Sequence, residues 1–565
     1  MILPSINPKK TELVAYLVVC LWRITTIIRL SSLFSMSGKM PDNTSYSPEA
    51  SNKIKPLNFM KKLLIFFFFP FFTNAQTPKE TPQWRPNYHF SPPKNWTNDP
   101  NGLVYHQGQY HLFYQHNPYE NKWGHMSWGH AVSKNLVDWE NLPVAILEDS
   151  VWIFSGSVVV DKSNSSGFQT GTEPCMVALY TADYHDGKKE AQYLAYSNDN
   201  GTTWTKYAGN PVIDLQMKDF RDPHVIWHEK TQNWVMSVVF PKEYKVVFYT
   251  SKNLKNWTRS GEFGNQGEVR KIWECPALVE MPVDGNTQNT RWLLFISTNG
   301  PHDKFEGMQY FVGEFDGTTF KNNNTPETKL YVDYGKDFYA AIPYTGAPEN
   351  KKILLGWMSS WQYASEMPTY PWKGSMAIPR DISLRSTPSG LRLFQEPIAT
   401  LKAKKDYLTF EKANFVLSKE KQISGMSLFA NNSYMVEVEF KIKSAKDFGV
   451  KIAQKRDEND EKKILQETII GYDVASKQLY IDRNKSGLII KENFPSTEKV
   501  FLKFEDKTLK LKVLVDKSSV EVFANDGQIA MTSLIYPDEK GNIFSLFTNG
   551  GKVRVKYLKI TDLSK

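Results

Sequence analysis

The chain is poor in cysteine. Among its 565 residues there are only three, Cys20, Cys175 and Cys275. None of them belongs to a Cys-x-x-Cys pair or to a His/Cys cluster, so the sequence excludes a disulfide framework and gives no sign of a zinc site. No motif indicates another metal or an organic cofactor, and we expect none.

An excess of charge of one sign is missing from most of the chain. The formal net charge of +9 is concentrated in residues 1–75, which carry 9 Lys or Arg against 3 Asp or Glu. The remainder carries 60 basic and 57 acidic residues, which is too balanced to indicate a nucleic-acid partner. A neutral substrate fits this composition at least as well. Apolar residues make up 41% of the chain, which excludes a disordered protein.

Long apolar runs are also rare. The main one, Leu63 to Phe72, follows Met60-Lys61-Lys62 and precedes Thr73-Asn74-Ala75. A basic start, a short apolar stretch and small residues are the three parts of a secretory signal, and the stretch is too short to span a bilayer as a helix. We therefore expect a signal peptide over 60–75, a secreted or periplasmic protein, and no stable membrane span in the mature chain. The alternative is a buried strand or a short anchor.

Residues 1–59 lie upstream of this predicted signal. Their apolar stretch, from Leu13 to Trp22, is followed by Arg23 and Arg29. We expect that Met60 is the true start and that 1–59 is a gene-model extension; the alternative is a real N-terminal membrane segment. Residues 76–87 would form a linker.

Tryptophan is absent from the C-terminal part of the chain. All 16 Trp precede residue 373, and from residue 401 onward there are only two prolines, Pro495 and Pro537. This change in composition predicts a first domain over 88–395 and a second over 401–565.

Helical periodicity is missing, and a faint repeat of strands takes its place. Asp99-Pro100 is followed 40 residues after the Asp by Trp139, and Asp222-Pro223 is followed 35 residues after the Asp by Trp257. Each copy holds short apolar strands and a Ser-Lys-Asn-Leu turn between these points. Repeated units of about four strands indicate a β-propeller, here with five blades over 88–395.

In the second domain, apolar and charged residues alternate strictly. Val436, Val438 and Phe440 share one face of a predicted strand, and Glu437 and Glu439 share the other. Half-buried antiparallel strands of this kind predict a β-sandwich. The predicted fold is therefore all-β, a five-bladed propeller followed by a sandwich.

Three acids open three of the predicted blades. They are Asp99 in Trp-Thr-Asn-Asp-Pro-Asn-Gly, Asp222 in Phe-Arg-Asp-Pro-His, and Glu274 in Trp-Glu-Cys-Pro. The first strand of a blade lines the central channel, so ring closure would gather the three carboxyls at one end. Glycoside cleavage needs one ionised carboxylate and one protonated carboxyl, and crowding separates their pKa values. Arg221 would keep Asp222 ionised.

Each segment also has a plainer interpretation. Asn-Asp-Pro-Asn-Gly is a strong turn signal, Arg-Asp-Pro is commonly a structural turn, and Glu-Cys-Pro alone says little. The functional interpretation depends on their joint occurrence at intervals that match blades.

At these residues the sequence resembles the family 32 glycoside hydrolases, the fructan hydrolases and invertases. Besides the three acidic motifs, Phe113-Tyr114-Gln115, Trp123-Gly124 and Phe154-Ser155-Gly156-Ser157 resemble the family's sugar-contacting segments. In the second domain, Asp482-Arg483, Ser486-Gly487 and Ser519 to Phe523 are similar to its sandwich motifs. Thr97 stands where Met is common. The resemblance covers roughly residues 88–565.

The resemblance implies roles for individual residues. Asp99 would be the nucleophile, Glu274 the general acid and then base, and Asp222 a stabiliser of the transition state. The sugar would be bound by a set of eight residues: Trp96, Asn98, Gln115, Trp123, Phe154, Ser155, Arg221 and Trp361. For Trp123 the alternative is core packing, and Cys275 would pack beside the acid rather than act as a nucleophile.

The substrate implied is a β-fructofuranoside. Gly356 to Tyr363, followed by Pro368 to Gly374, resembles exo-acting levanases and inulinases, and Trp361 lies within it. Secretion also favours a polymer, so we expect release of terminal fructosyl residues from levan or inulin with retained configuration, and sucrose as a further substrate. The alternatives are a sucrose-specific invertase, a fructosyltransferase and a non-catalytic fructan-binding protein.

Overall fold

The computed structural model describes residues 80–564 apart from 186, 303–305, 403–408, 424–430, 461 and 505. These residues all lie within one compact unit. The predicted signal peptide and the stretch before it lie outside the described residues. Within the described part there are 34 β-strands and five short 3-10 helices: Pro82–Trp84, Pro241–Glu243, Pro348–Asn350, Ala364–Glu366 and Ala399–Lys402. No helix in this part has the length and apolar character that crossing a membrane would need.

The first three blades are antiparallel sheets. Blade one contains β1 Asn95–His106, β2 Gln109–Asn117, β3 Ser127–Ser133 and β4 Glu140–Ile146. Blade two contains β5 Trp152–Asp161, β6 Cys175–Asp183, β7 Glu190–Ser197, β8 Thr205–Lys206 and β9 Ile213–Met217. Blade three contains β10 Arg221–His228, β11 Asn233–Phe240, β12 Lys245–Ser251 and β13 Thr258–Gly264.

Blades four and five share hydrogen bonds and form one sheet. Blade four contains β14 Glu274–Val283, β15 Asn286–Asn299, β16 Glu306–Phe315 and β17 Phe320–Asn322. Blade five contains β18 Tyr339–Pro343, β19 Ile353–Trp357, β21 Arg380–Thr387 and β22 Gly390–Pro397. The short strand β20, Trp372–Lys373, pairs in parallel with the start of β1 and so ties the last blade to the first.

The first strand of each blade lines the central channel. These five inner strands, β1, β5, β10, β14 and β18, contact one another in a closed ring. Each carries a β-bulge near its start, at the same position in the blade, where two of its residues face a single residue of the second strand. The five bulged pairs are Asn98-Asp99, Phe154-Ser155, Asp222-Pro223, Cys275-Pro276 and Ala340-Ala341. A bulge changes the direction of its side chains relative to the regular strand. The five bulges therefore give one end of the channel a different arrangement of side chains.

The second domain is a sandwich of two six-stranded sheets. One sheet contains β23 Thr409–Leu417, β25 Tyr434–Ile442, β30 Thr508–Asp516, β31 Ser519–Ala524, β32 Ile529–Leu534 and β34 Val553–Asp562. The other contains β24 Lys421–Ile423, β26 Asp447–Arg456, β27 Ile464–Asp473, β28 Gln478–Lys485, β29 Thr497–Phe501 and β33 Ile543–Asn549. The predicted alternation is seen in β25, where Val436, Val438 and Phe440 are buried in the core between the sheets.

Two buried ion-pair networks join the sandwich to the propeller. In the first, Arg380 binds Glu521 at 2.8 Å and Asp333 at 2.9 Å. In the second, Arg483 binds Asp337 at 2.6 Å. Arg483 and Glu521 belong to the sandwich motifs noted in the sequence, and both are buried in this interface rather than exposed to solvent.

The stretch predicted to be a linker is bound to both domains in its described part, 80–87. The backbone N–H of Thr81 donates to Tyr370 O in the propeller at 2.9 Å. The indole of Trp84 donates to Pro537 O in the sandwich at 3.0 Å, and the backbone of Asn87 donates to the Asp516 carboxylate. These contacts hold the stretch in place between the domains.

Candidate active site

The bulges bring the three predicted acids to one mouth of the channel. Asp99 is the second bulged residue of β1, Asp222 is the first of β10, and Glu274 directly precedes the bulge of β14. Closure of the ring therefore places residues that are far apart in sequence around one point. The acids come from blades one, three and four.

Asp99 is held by donors from its own bulge and from blade two. The Ser155 hydroxyl donates to Oδ2 of Asp99 at 2.6 Å, and the Asn98 amide donates to Oδ1 at 3.0 Å. Burial raises the pKa of Asp99, and the charge of Glu274 raises it further, while the Ser155 and Asn98 hydrogen bonds lower it. These two donors therefore favour the ionised form that a nucleophile needs.

Asp222 is fixed by backbone and side-chain hydrogen bonds. Its φ of 64° is in the left-handed region, where an L-residue is strained. Two hydrogen bonds hold Asp222 in this conformation. The Asp222 N–H donates to Thr181 Oγ1 at 2.9 Å, and the Asp222 carboxyl accepts the N–H of Cys275 at 2.9 Å. The carboxyl is thus presented to the channel mouth in a single orientation.

Arg221 acts on Asp222 in the direction that the sequence suggested, but burial has the larger effect on the pKa of Asp222. Burial raises the pKa of Asp222 to about 8, and the positive charge of Arg221 lowers it by less than burial raises it. The Arg221 guanidinium lies against Glu190 at 2.7 Å and Glu274 at 3.4 Å. Burial lowers the pKa of Arg221, but Glu274 and Glu190 together raise it above its ordinary value, so Arg221 remains charged.

Glu274 lies on the wall of a cavity of about 300 Å³ at this mouth. Its Oε2 accepts a hydrogen bond from the Tyr339 phenol at 2.7 Å. The remaining lining residues of the cavity are Lys271, Ile272, Thr298, Glu306 and Trp361. The acid therefore faces an open space that a ligand can enter.

Two predicted sugar contacts, Trp123 and Trp361, are exposed beside the acids. The side chain of Trp361 is 38% exposed and stacks on Trp96, with ring centroids 6.1 Å apart. Trp123 is 45% exposed and packs edge-on against Trp152 at 5.4 Å, with Phe154 next to it. Core packing is therefore excluded for Trp123, and both rings are free to contact a ligand.

Trp96 does not reach the cavity, contrary to the prediction of a direct sugar contact. It is only 1% exposed, because Trp357 and Trp361 pack against it. Its indole N–H donates to Asn98 Oδ1 at 2.7 Å, and Asn98 in turn donates to Asp99. Trp96 therefore acts on the site through Asn98.

Gln115 and Cys275 are also buried next to Asp99. Gln115 faces the bulge of β1 and donates to the backbone carbonyl of Ile153 at 2.9 Å. The Cys275 thiol lies 3.7 Å from Asp99 Oδ2, so it packs against Asp99. Burial raises the pKa of Cys275 well above its ordinary value, which keeps the thiol protonated.

Sequence reasoning missed three residues of this site: Tyr339, Thr181 and Glu190. Tyr339 directly precedes the bulge of blade five, at the position that Glu274 occupies in blade four. The spacing of blades could have located it, but the segment Tyr339-Ala340-Ala341 has no acid or proline to mark it. Thr181 and Glu190 lie on the second and third strands of blade two and carry no motif.

A metal centre is not evident at this mouth. In the part of the chain that the structure describes, no group of three or more His, Cys, Asp or Glu side chains is arranged to hold a metal ion. Both carboxyl oxygens of Asp99 and one of Asp222 accept hydrogen bonds from the protein.

Comparisons with known proteins identify the family of this chain. Residues 89–397 match the family model of the glycosyl hydrolases family 32 N-terminal domain, and residues 400–562 match that of the family 32 C terminal. The chain is 47% identical over 501 residues to a levanase of Bacillus subtilis (strain 168), covering 85% of this chain and 71% of that protein. It is 38% identical over 509 residues to an extracellular exo-inulinase of Aspergillus awamori, covering 83% and 92%.

Solved structures show the same architecture. The crystal structure of the Aspergillus awamori exo-inulinase superposes with a TM-score of 0.78 at 36% identity, covering 87% of this chain and all of that one. A fructofuranosidase from Schwanniomyces occidentalis complexed with fructose gives 0.79 at 32% identity, covering 86% and 100%. The predicted fold class, a five-bladed propeller followed by a sandwich, is confirmed. This chain belongs to the glycosyl hydrolases of family 32.

Proposed function

We propose that this protein is a retaining, exo-acting fructosidase that releases terminal β-fructofuranosyl residues from levan or inulin, and also cleaves sucrose. The observation that carries the proposal is the meeting of Asp99, Asp222 and Glu274 at one mouth, each with a different set of partners. Two carboxyls in different environments are what glycoside cleavage requires.

Each acid has a separate proposed role. Asp99 accepts two hydrogen bonds that favour its ionised form, and it attacks C2 of the terminal fructosyl unit. Glu274, facing the cavity, gives its proton to the leaving oxygen. In the second step Glu274 takes a proton from water, which attacks C2 and releases Asp99, so that one water is consumed for each fructose freed. Asp222, oriented by Thr181 and Cys275, binds the fructosyl hydroxyls.

The shape of the channel supports attack on chain ends. At the level of the bulges the channel is nearly filled, leaving a void of about 10 Å³ lined by residues of all five inner strands. A substrate therefore enters the acid-bearing mouth from one side and stops there. A chain cannot pass through the ring, and we propose that its terminal sugar is the part that enters this mouth.

The relatives support a polymeric substrate outside the cell. Those with high identity are named as a levanase and an extracellular exo-inulinase, while an invertase of Schizosaccharomyces pombe is 35% identical over 472 residues. We propose export for this chain as well. Comparing fructose release from levan, inulin and sucrose tests the polymer claim, and activity on sucrose alone would overturn it.

Substitution of the two acids tests the roles. Asp99→Asn and Glu274→Gln should each lower kcat about 10³-fold or more, because each removes several kcal/mol of transition-state stabilisation. Asp457→Asn, in an exposed turn of the sandwich, is the matched control and should keep full activity. NMR of the initial product should show the β-anomer of fructose, and near-normal kcat in either acid variant would refute the assignment.

A further inference from the structure

A second cavity opens at the mouth of the channel opposite the acids. It has a volume of about 640 Å³, within the range of ligand sites. Its walls are built from the far ends of the same five inner strands, among them Tyr105, Val160, Trp227, Glu280 and Pro343. It is therefore larger than the cavity beside Glu274 and faces the other side of the propeller.

The two cavities are separate. Between them lies the nearly filled section of the channel, whose void of about 10 Å³ is smaller than a sugar ring and is lined by the bulged residues. A molecule in the second cavity cannot reach Asp99 through the channel. Any ligand bound there is outside the catalytic centre.

The walls of the second cavity are rich in aromatic rings. They include Tyr105, Trp227, Trp234, Trp292 and Tyr344. Within the described residues, three Trp are exposed: Trp123, Trp227 and Trp361. Two of these stand at the acid-bearing mouth, and the third, Trp227, is 37% exposed at the opposite one. Exposure of a large ring at a concave surface marks a binding site.

Trp227 is held in place without a ligand. Its indole N–H donates to Glu229 Oε2 at 2.7 Å, and its ring packs edge-on against Trp234 with centroids 5.1 Å apart. Trp234 is itself fixed by a hydrogen bond to Ser165 at 2.8 Å. A ring that is already immobile loses little entropy when a ligand stacks on it.

Charges of both signs surround the rings. Lys162, Lys351 and Lys352 lie on the wall together with Glu229 and Glu280. Lys352 forms no ion pair with any residue that the structure describes, and burial lowers its pKa while Glu280 acts in the opposite direction. A wall of this mixed charge selects neither an anion nor a cation. It suits a neutral ligand with many hydroxyls, which can accept from lysine and donate to glutamate.

We propose that this opposite-mouth cavity is a second carbohydrate site, which binds a short stretch of fructan chain by stacking a sugar ring on Trp227. The identity of the sugar rests on the proposed function; the carbohydrate class rests on the rings and hydrogen-bonding groups of the cavity. Because a fructan chain is long, a chain held here keeps its terminal fructosyl unit near the enzyme and raises the effective concentration of that unit. Sucrose contains a single fructosyl unit, so its hydrolysis is not accelerated by binding at the second cavity.

Calorimetric titration of the Asp99→Asn protein with inulin- and levan-derived pentasaccharides tests the proposal. We expect two binding events per chain. Adding Trp227→Ala should abolish one of them, whereas adding Tyr557→Ala, which removes an equally exposed aromatic ring of the sandwich, should leave both. A single event that is the same in all three proteins would overturn the proposal.

Lys352→Met provides a second variant in case Trp227→Ala does not fold. This substitution should lower the affinity of the second binding event about fivefold, because one hydrogen bond to the ligand is lost. In the active enzyme, Trp227→Ala should raise the ratio of KM for levan or inulin to KM for sucrose about threefold or more. An unchanged ratio, with an unchanged second event in Lys352→Met, would contradict the site.

The two proposals fail in different ways. If the proposed function is wrong, the wild-type protein releases no fructose from any fructoside. If only this inference is wrong, fructose release is normal and the Trp227→Ala and Lys352→Met proteins bind oligosaccharides as the parent protein does.

Discussion

The phenol of Tyr339, directly before the bulge of the neighbouring blade, donates a hydrogen bond to Oε2 of Glu274 at 2.7 Å. Burial raises the pKa of Tyr339 well above its ordinary value, with the charge of Glu274 acting in the same direction, so the phenol keeps its proton and acts as a donor. With Arg221 on Oε1 at 3.4 Å, this bond fixes both oxygens of the proposed acid. Tyr339 is thus a positioning residue for Glu274.

Tyr339→Phe should lower kcat on sucrose about tenfold, because a hydrogen bond to a charged group is lost while the ring stays packed. KM should change little. For a substrate whose leaving group needs no proton, such as fructosyl fluoride, the substitution should lower the rate of fructosyl-enzyme formation much less. Rapid-mixing kinetics measures this rate. Equal losses on both substrates would mean that Tyr339 serves the fold only.

Ser155→Ala should move the acid limb of the pH profile of kcat/KM upward. The Ser155 hydrogen bond lowers the pKa of Asp99, so its loss raises that pKa further and the proposed nucleophile ionises only at higher pH. The shift should be about one pH unit, from the strength of a hydrogen bond to a charged group.

The control for this shift is Ser157→Ala. Ser157 lies on the same strand, but its hydroxyl donates to the Pro223 carbonyl and not to Asp99. Its acid limb should coincide with that of the wild type. An unmoved limb in Ser155→Ala would show that the hydrogen bond does not act on the nucleophile.

Stability should fall as the pH rises from about 6.5 through about 9. His89 lies between Asp516 at 2.9 Å and Glu521 at 2.8 Å in the interface of propeller and sandwich. Burial alone would lower its pKa, but these two carboxylates raise it from 6.5 to about 9. The charged imidazole therefore stabilises the folded state fully below pH 6.5, and this contribution of about 3 kcal/mol is lost through pH 9.

Thermal unfolding between pH 6 and pH 10 measures this effect. His89→Gln should be less stable at pH 6 and should show a flatter decline, since its side chain does not titrate. His125→Gln removes a surface histidine and should decline as the wild type does. Parallel curves for His89→Gln and the wild type would contradict the assignment.

Arg483→Met should destabilise the protein by about 3–5 kcal/mol. Arg483 is buried and binds both Asp337 at 2.6 Å and the hydroxyl of Tyr363 at 2.9 Å, so its removal leaves a buried carboxylate without its cation. Urea unfolding followed by tryptophan fluorescence measures the change. Lys540→Met, which breaks the exposed pair with Glu458, should leave the midpoint unchanged, and an equally small effect of Arg483→Met would refute the bracing role.

Much of the fold could be predicted from the sequence. Alternation such as that of Val436, Val438 and Phe440 has the period of a strand, and burial of one face follows from it directly. The repeat that begins at Asp99 and again at Asp222 marks the starts of blades, and the motifs around the acids indicated the family, which the comparisons confirm. The functional roles of the site residues stay predictions.

The side-chain contacts between different blades of the ring could not be predicted from the sequence. Arg221 was expected to support Asp222, its neighbour in sequence, and its charge does lower the pKa of Asp222. Its ion pairs with Glu190 and Glu274, which lie on other strands, could not be predicted. Trp96 was expected beside the sugar, but two further Trp cover it.

Sequence alone thus determined the strands, the two domains' fold classes and the three acids, because period, composition and motif are local properties. Only the tertiary structure decided which groups touch those acids, through the five bulges and the closure of the ring, as with Tyr339 on Glu274 and Ser155 on Asp99. Contacts between distant segments depend on the geometry of the whole ring, and no short stretch of sequence contains that geometry.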